Sequence, residues 1–156
     1  MVDIVDPTTR SRMMSGIHAK NTSPELIVRK ALHARGFRFR VHSAGLPGKP
    51  DIVLPKYKAV VLIHGCFWHG HNCRYFKIPQ TRTEFWLDKI GKNRARDALQ
   101  IQNLNSAGWR SLTIWECAIR KMKSTKSDDL IELISEWINS NSPNREIDES
   151  YTLRQK

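Results

Sequence analysis

Ala59-Val60-Val61-Leu62-Ile63 restricts the fold more than any other segment, because five apolar residues in succession leave neither face of an extended strand suited to water. Such a strand belongs at the centre of a sheet with helices on both sides. Ser23 suits a helix N-cap and Pro24 the first helical position, so a helix is expected from Pro24 to about Arg35, ending at Gly36. Phe37-Arg38-Phe39-Arg40-Val41 alternates with period two and reads as a strand. A loop with Gly45, Pro47 and Gly48 leads to a second short strand, Asp51-Ile52-Val53-Leu54. Helices are expected at Glu84 to Ile90 and at about Arg94 to Ala107, with Gly108 as the stop. A fourth strand covers Trp109 to Trp115. Ser127 then caps an amphipathic helix with Leu130, Leu133, Ile134, Trp137 and Ile138 on one face. The order α-β-β-β-α-β-α predicts an α/β fold, a central mixed β-sheet flanked by helices. Its domain should span residues 21–138, between a basic arm at 1–20 and a flexible tail at 139–156 rich in Asn, Ser and charge.

Charge narrows the function. The 156 residues carry 26 Lys and Arg against 15 acidic residues, a net charge of +11. On so small a chain this points to a polyanion partner, nucleic acid before all others, bound in a salt-sensitive and sequence-independent way by the electrostatic term alone. No apolar run approaches a membrane span, and the N-terminus lacks the basic, apolar and small-residue succession of a signal peptide. A cytoplasmic protein without a membrane partner is expected, and no dimerisation element is evident, so a monomer is expected too.

Cys66, Cys73 and Cys117 are the three cysteines, and an odd number in a cytosolic chain argues against a disulfide framework. Cys66, His71, Cys73 and Cys117 together make a Cys₃His set, the donor set of a closed structural Zn²⁺ site. Such a site would fasten the aperiodic segment Gly65 to Gln80 to the end of the Trp109–Trp115 strand and supply folding energy to a loop with little core of its own. The spacing has no CxxC pair, His64 and His69 compete with His71 as the fourth ligand, and buried free thiols remain the alternative.

Asp51 opens a strand after a Gly/Pro loop, Glu25 lies on the helix upstream, and His64 and His69 follow the next strand. Phosphodiester hydrolysis needs a cation on the phosphate and a base for water. A strand-end Asp, a His and a nearby Glu meet that need, and Mg²⁺ commonly takes one or two carboxylates plus substrate phosphate. From the residues alone, a solvated turn aspartate and structural histidines stay open. Phe67-Trp68 lies between the metal-ligand candidates and Trp86 on the next helix. These aromatics either belong to the core or insert between base pairs, which is easiest where pairing is already poor.

The segments Leu46-Pro47-Gly48-Lys49-Pro50-Asp51, His64-Gly65-Cys66-Phe67-Trp68-His69-Gly70-His71-Asn72-Cys73, Thr81-Arg82-Thr83-Glu84-Phe85-Trp86-Leu87-Asp88-Lys89-Ile90-Gly91-Lys92-Asn93 and Trp115-Glu116-Cys117-Ala118 resemble, in order, the bacterial very short patch repair (Vsr) family of DNA mismatch endonucleases. The resemblance spans roughly residues 8 to 138. It implies a restriction-endonuclease-like core and a Mg²⁺-dependent nick on the 5′ side of the T in a T:G mispair produced by deamination of 5-methylcytosine, leaving a 5′-phosphate and a 3′-hydroxyl. It implies Asp51 and the backbone carbonyl of Ile63 as Mg²⁺ ligands and His69 as general base, with Glu25 orienting it. His64 is implied as a partner of the phosphate or of water held by the metal. Cys66, His71, Cys73 and Cys117 match the zinc ligands. Phe67, Trp68 and Trp86 match intercalating aromatics, Met14 a minor-groove residue of the arm, and Lys89 and Asn93 contacts to the mispair. Double-stranded DNA carrying the mismatch is the implied partner, with mismatch-repair proteins and a cognate cytosine methyltransferase in the same pathway.

The chain departs from the pattern at Leu62 and Ile63, where the family commonly has an aromatic and a Thr. A backbone ligand survives that change, but a Thr hydroxyl does not. Two other functions share most of these features: a non-catalytic zinc-containing DNA-binding protein, and a double-strand restriction endonuclease on the same core.

Overall fold

The computed structural model describes residues 21–152, so the expected arm, with Met14, lies outside the described residues. Helix α1 runs Ser23–Ala34. Its cap is Thr22 rather than Ser23, with the Thr22 hydroxyl accepting from the Glu25 amide at 3.4 Å. The buried stripe of α1 is Glu25, Val28 and Leu32. A carboxylate on an otherwise apolar stripe is costly unless something charged or hydrogen-bonding meets it.

Strand β1 is only Arg40–Val41, shorter than the alternation suggests. Phe37 instead closes the helix: its amide bonds to the Leu32 carbonyl at 3.1 Å and its ring enters the core. Strand β2 (Ile52–Leu54) turns through a short 3-10 segment, Pro55–Tyr57, into β3 (Ala59–His64). Helix α2 runs unbroken from Thr83 to Ser106, where two helices were expected. Gly91 costs a helix about 1 kcal/mol relative to Ala, which an element of 24 residues tolerates. Strand β4 (Arg110–Trp115) leads directly into α3 (Glu116–Thr125), a helix whose basic composition hid it. Helix α4 (Asp129–Asn139) is the expected amphipathic one.

Among the described residues five strands form one mixed sheet in the order β1-β2-β3-β4-β5, the last being Arg145–Ile147. Pairing is antiparallel from β1 to β3 and parallel from β3 to β5. The apolar run Ala59–Ile63 is central, as its composition requires. Period two splits its side chains. Ala59 and Val61 join the main core with Ile52, Leu54, Leu112 and Ile114 against α1, α3 and α4, while Val60 meets Val53 and Leu104 of α2 on the other face.

The segment expected as a tail from residue 139 supplies β5, which pairs in parallel with β4 and buries Ile147 and, beyond it, Tyr151. Two of its three strand residues are exposed, so no alternation marks it in the sequence. Arg110 ties this segment to α4, donating to the carbonyls of Trp137, Ile138 and Ser142. Ile147→Ala should therefore cost about 2–4 kcal/mol in urea-induced unfolding, whereas Asn141→Ala, at an exposed position nearby, should change stability by less than about 0.5 kcal/mol. Equal effects would place residues 145–147 outside the cooperative core.

Candidate active site and metal centre

Both candidate sites hang from the C-terminal ends of β3 and β4. His64 ends β3 and pairs in register with Trp115, which ends β4. The loop from Gly65 onward folds back over these ends through backbone bonds from His69 to Gly65 and from His71 to Cys66. Gly70 makes this path possible. Its φ is +64°, and a Cβ there would sit 2.6 Å from the Ile90 side chain. A histidine on each side of Gly70 serves a different cluster.

One cluster is Cys66, His71, Cys73 and Cys117, whose ligand atoms all lie within 4.8 Å of one another. The fourth donor is His71, rather than His64 or His69. Its Nδ1 is 3.7 Å from the Cys117 sulfur, and its ring stacks on Trp115 at 4.3 Å between centroids. Cys66 and Cys117 are buried. The hydrogen bond between them pulls the Cys117 thiol down and pushes the Cys66 thiol up. Crowded thiols that resist a second ionisation suit a soft divalent cation, whose charge would replace the shared proton and offset most of the charge of the thiolates.

The second cluster is His64, His69 and Asp97, also within 4.8 Å. The two imidazoles stack at 3.9 Å with planes 3° apart. His69 Nδ1 lies 2.5 Å from Asp97 Oδ2. A carboxylate accepts only, so Nδ1 carries the hydrogen and Nε2 is left with a free lone pair. Burial lowers the His64 pKa to about 4, with His69 adding to that effect, so His64 is neutral near pH 7. Its buried Nδ1 has no hydrogen-bond partner among the described residues.

The third cluster is Glu25, His42 and Asp51. Asp51 Oδ2 accepts the Ile63 amide at 2.7 Å, which anchors the carboxylate to β3. Burial raises its pKa from 3.8 to about 7, and the nearby Glu25 carboxylate adds to this. Glu25 Oε2 accepts from Arg29 Nη2 at 2.8 Å and from the Asn21 amide at 3.1 Å, and lies 3.3 Å from His42 Nε2. Glu25 thus keeps company with Asp51, while the carboxylate on His69 is Asp97. Asp97, His42 and Arg29 escaped the sequence reading. Asp97 lies on a helix with most residues exposed and looks there like any solvated acid.

The aromatics form a separate group. Phe67, Trp68 and Trp86 meet edge to face, with centroids 5.2 to 5.8 Å apart, and all three are only partly buried. Phe85 beside them is 43 % exposed. Asn93 Nδ2 donates to the Trp68 carbonyl at 2.8 Å, fixing the loop to α2, and Lys89 is exposed one turn away.

A family model described as DNA mismatch endonuclease Vsr matches residues 2–75. The DNA mismatch endonuclease Vsr of Escherichia coli (strain K12) is 45% identical over 148 residues, covering 95% of each chain. This chain belongs to the Vsr family. Among other Vsr relatives, the type II nicking enzyme V.NmeAIP of Neisseria meningitidis is 46% identical, covering 87% of this chain and 96% of its own. The type II nicking enzyme V.XorIIP of Xanthomonas oryzae pv. oryzae is 45% identical over 76% of this chain and 88% of its own. The structure places the Vsr-matched residues Glu25 and Asp51 in one cluster, His64 and His69 in a second, and the cysteines and His71 in a third.

Asp51 carries a stability consequence with a definite sign. Its folded pKa, about 7, lies above its ordinary 3.8, so the folded chain holds the proton more tightly than the unfolded chain. Stability attributable to Asp51 is then fully present at acid pH and is lost as pH rises through about 7. Asp51→Asn removes that loss. In the absence of added Mg²⁺ the variant should match wild type near pH 4 and exceed it at pH 8 in urea midpoints. A gap that does not grow with pH would show that Asp51 is not held in this buried state.

Proposed function

We propose that this endonuclease of the Vsr family nicks one strand of double-stranded DNA on the 5′ side of the T in a T:G mispair, leaving a 5′-phosphate and a 3′-hydroxyl. The observation that carries the reading is the convergence at one sheet end of a proton-poised Asp51 and a His69 whose Nδ1 is held by Asp97. The family membership supplies the reaction class.

Asp51, with the backbone carbonyl of Ile63, would hold Mg²⁺, which when bound neutralises charge developing on the phosphate. The donor chemistry fits: burial, with the nearby Glu25 carboxylate adding to it, raises the Asp51 pKa to about 7, and a hard divalent cation would offset both effects. His69 takes a proton from the attacking water at Nε2. Asp97 holds the ring in that tautomer and stabilises the imidazolium that forms. His64, neutral near pH 7, would be a partner of the phosphate or of water held by the metal. Glu25, braced by Arg29, acts through Asp51 rather than through His69.

Zn²⁺ would be held by Cys66, His71, Cys73 and Cys117 in a closed set that leaves no position for substrate. Phe67, Trp68 and Trp86 are the wedge, and Lys89 and Asn93 face the mispair. Helix α2 buries only Ile90 and Leu104 while exposing Lys89, Lys92, Arg94 and Arg96, which suits a basic face laid on DNA. Met14 and the arm extend that contact. The work is done by a monomer in the cytoplasm, alongside mismatch-repair proteins and a cytosine methyltransferase. No helix among the described residues is long and apolar enough to cross a membrane.

Duplexes carrying T:G, T:A or C:G at one position, labelled on both strands, test this. With Mg²⁺, a single nick on the T strand of the T:G duplex is expected. Asp51→Asn should abolish it without loss of mismatch binding, and His69→Ala should slow it roughly 10²–10⁴-fold. Cutting of both strands, or equal nicking of T:A, overturns the proposal. Changing Phe67 and Trp68 together to Ala should weaken T:G binding more than T:A binding in fluorescence anisotropy, with little change in melting temperature. A collapse in stability with normal binding by the folded remainder assigns them to the core instead.

A further inference from the structure

The residues that follow β5 are built around the Cys₃His cluster. Asp148 Oδ2 lies 3.3 Å from His71 Nε2, the ring nitrogen opposite the one that meets Cys117. The other carboxylate oxygen, Oδ1, accepts from both the amide and the hydroxyl of Ser150, which fixes the rotamer of Asp148. The next residue, Glu149, donates its backbone amide to the Cys117 sulfur at 3.3 Å. Arg74, beside the ligand Cys73, meets the Glu149 carboxylate at 2.9 Å, and Lys121 of α3 grips the carbonyls of Glu149 and Tyr151. Two of the four ligands therefore have a second partner in the last few described residues.

This has chemical consequences. A carboxylate accepts a hydrogen from Nε2, which leaves Nδ1 of His71 as the lone-pair donor aimed at the cluster. An amide donating to a thiolate disperses the negative charge of the sulfur. The segment is anchored apart from the cluster by the burial of Ile147 and Tyr151 and by Lys121, and its contacts with His71 and Cys117 are added to that hold.

We propose that Asp148 is the positioning residue for His71 at the metal centre, and that the bound metal and residues 148–149 stabilise one another. The proposal rests on the Zn²⁺ reading above.

Full-length protein with zinc, and the same protein after chelation, should differ in hydrogen exchange at the Glu149 amide, which should be more protected with zinc than without it. Asp148→Asn keeps the size of the side chain, but its one acceptor oxygen is committed to the Ser150 turn. Its zinc affinity, by competition with a chromophoric chelator, should fall about 10–100-fold, and the absorption bands of the cobalt-substituted protein should shift. Ser150→Ala spares Asp148 Oδ2 and should bind zinc within about 3-fold of wild type, well inside the loss expected of the carboxylate change. Wild type that binds no zinc overturns both the zinc reading and this proposal. Wild type that binds zinc, with Asp148→Asn equal to it in affinity and cobalt spectrum, overturns this proposal alone. So does a Glu149 amide whose exchange ignores zinc, which decides the matter even if the variant does not fold.

Discussion

The parallel pairing of β3 with β4 holds the rest of the site in place. It sets His64 opposite Trp115, and both strands end there together. Trp115 then touches both centres. Its face stacks on His71, and it meets His64 and His69 edge to face at 5.2 and 6.2 Å. An indole in that place transmits a shift of either cluster to the other through van der Waals contact, because packed interiors yield little. The His64–His69–Asp97 cluster and the cluster of cysteines with His71 are distinct in chemistry but share one wall.

Much of this was legible because burial and chemistry coincided. The run Ala59–Ile63 could only be central, and the three cysteines with a nearby histidine could be grouped by donor type. What escaped did so for identifiable reasons. Asp97 looks like a solvated acid on a basic helix, and only the fold brings His69 to it. Helix α3 begins in the residues that supply Cys117, and its basic residues conceal the stripe of Cys117, Ala118 and Ile119 that it buries. The strand at 145–147 is too short and too exposed to show a period. The choice among His64, His69 and His71 as metal ligand depends on Gly70, whose reversal of the chain no spacing rule encodes.

The charges of the site work against folding and in favour of binding. Glu25 is almost fully buried, and it shares its neighbourhood with a second carboxylate. Arg29 offsets part of that cost at 2.8 Å. Burial and the Glu25 charge both favour a proton on Asp51, so any cation held there competes with that proton and its affinity carries a pH dependence. A fully hydrophobic stripe on α1 would make a steadier helix and remove one of the two charges that a cation could meet there.

Gly70 has an effect beyond geometry. Its left-handed backbone turns two residues that are next-but-one in sequence toward different clusters, so neither can drift without carrying the other. Under the roles proposed above, a substitution that disturbs the loop strikes proton transfer and metal retention together, and such effects will not add.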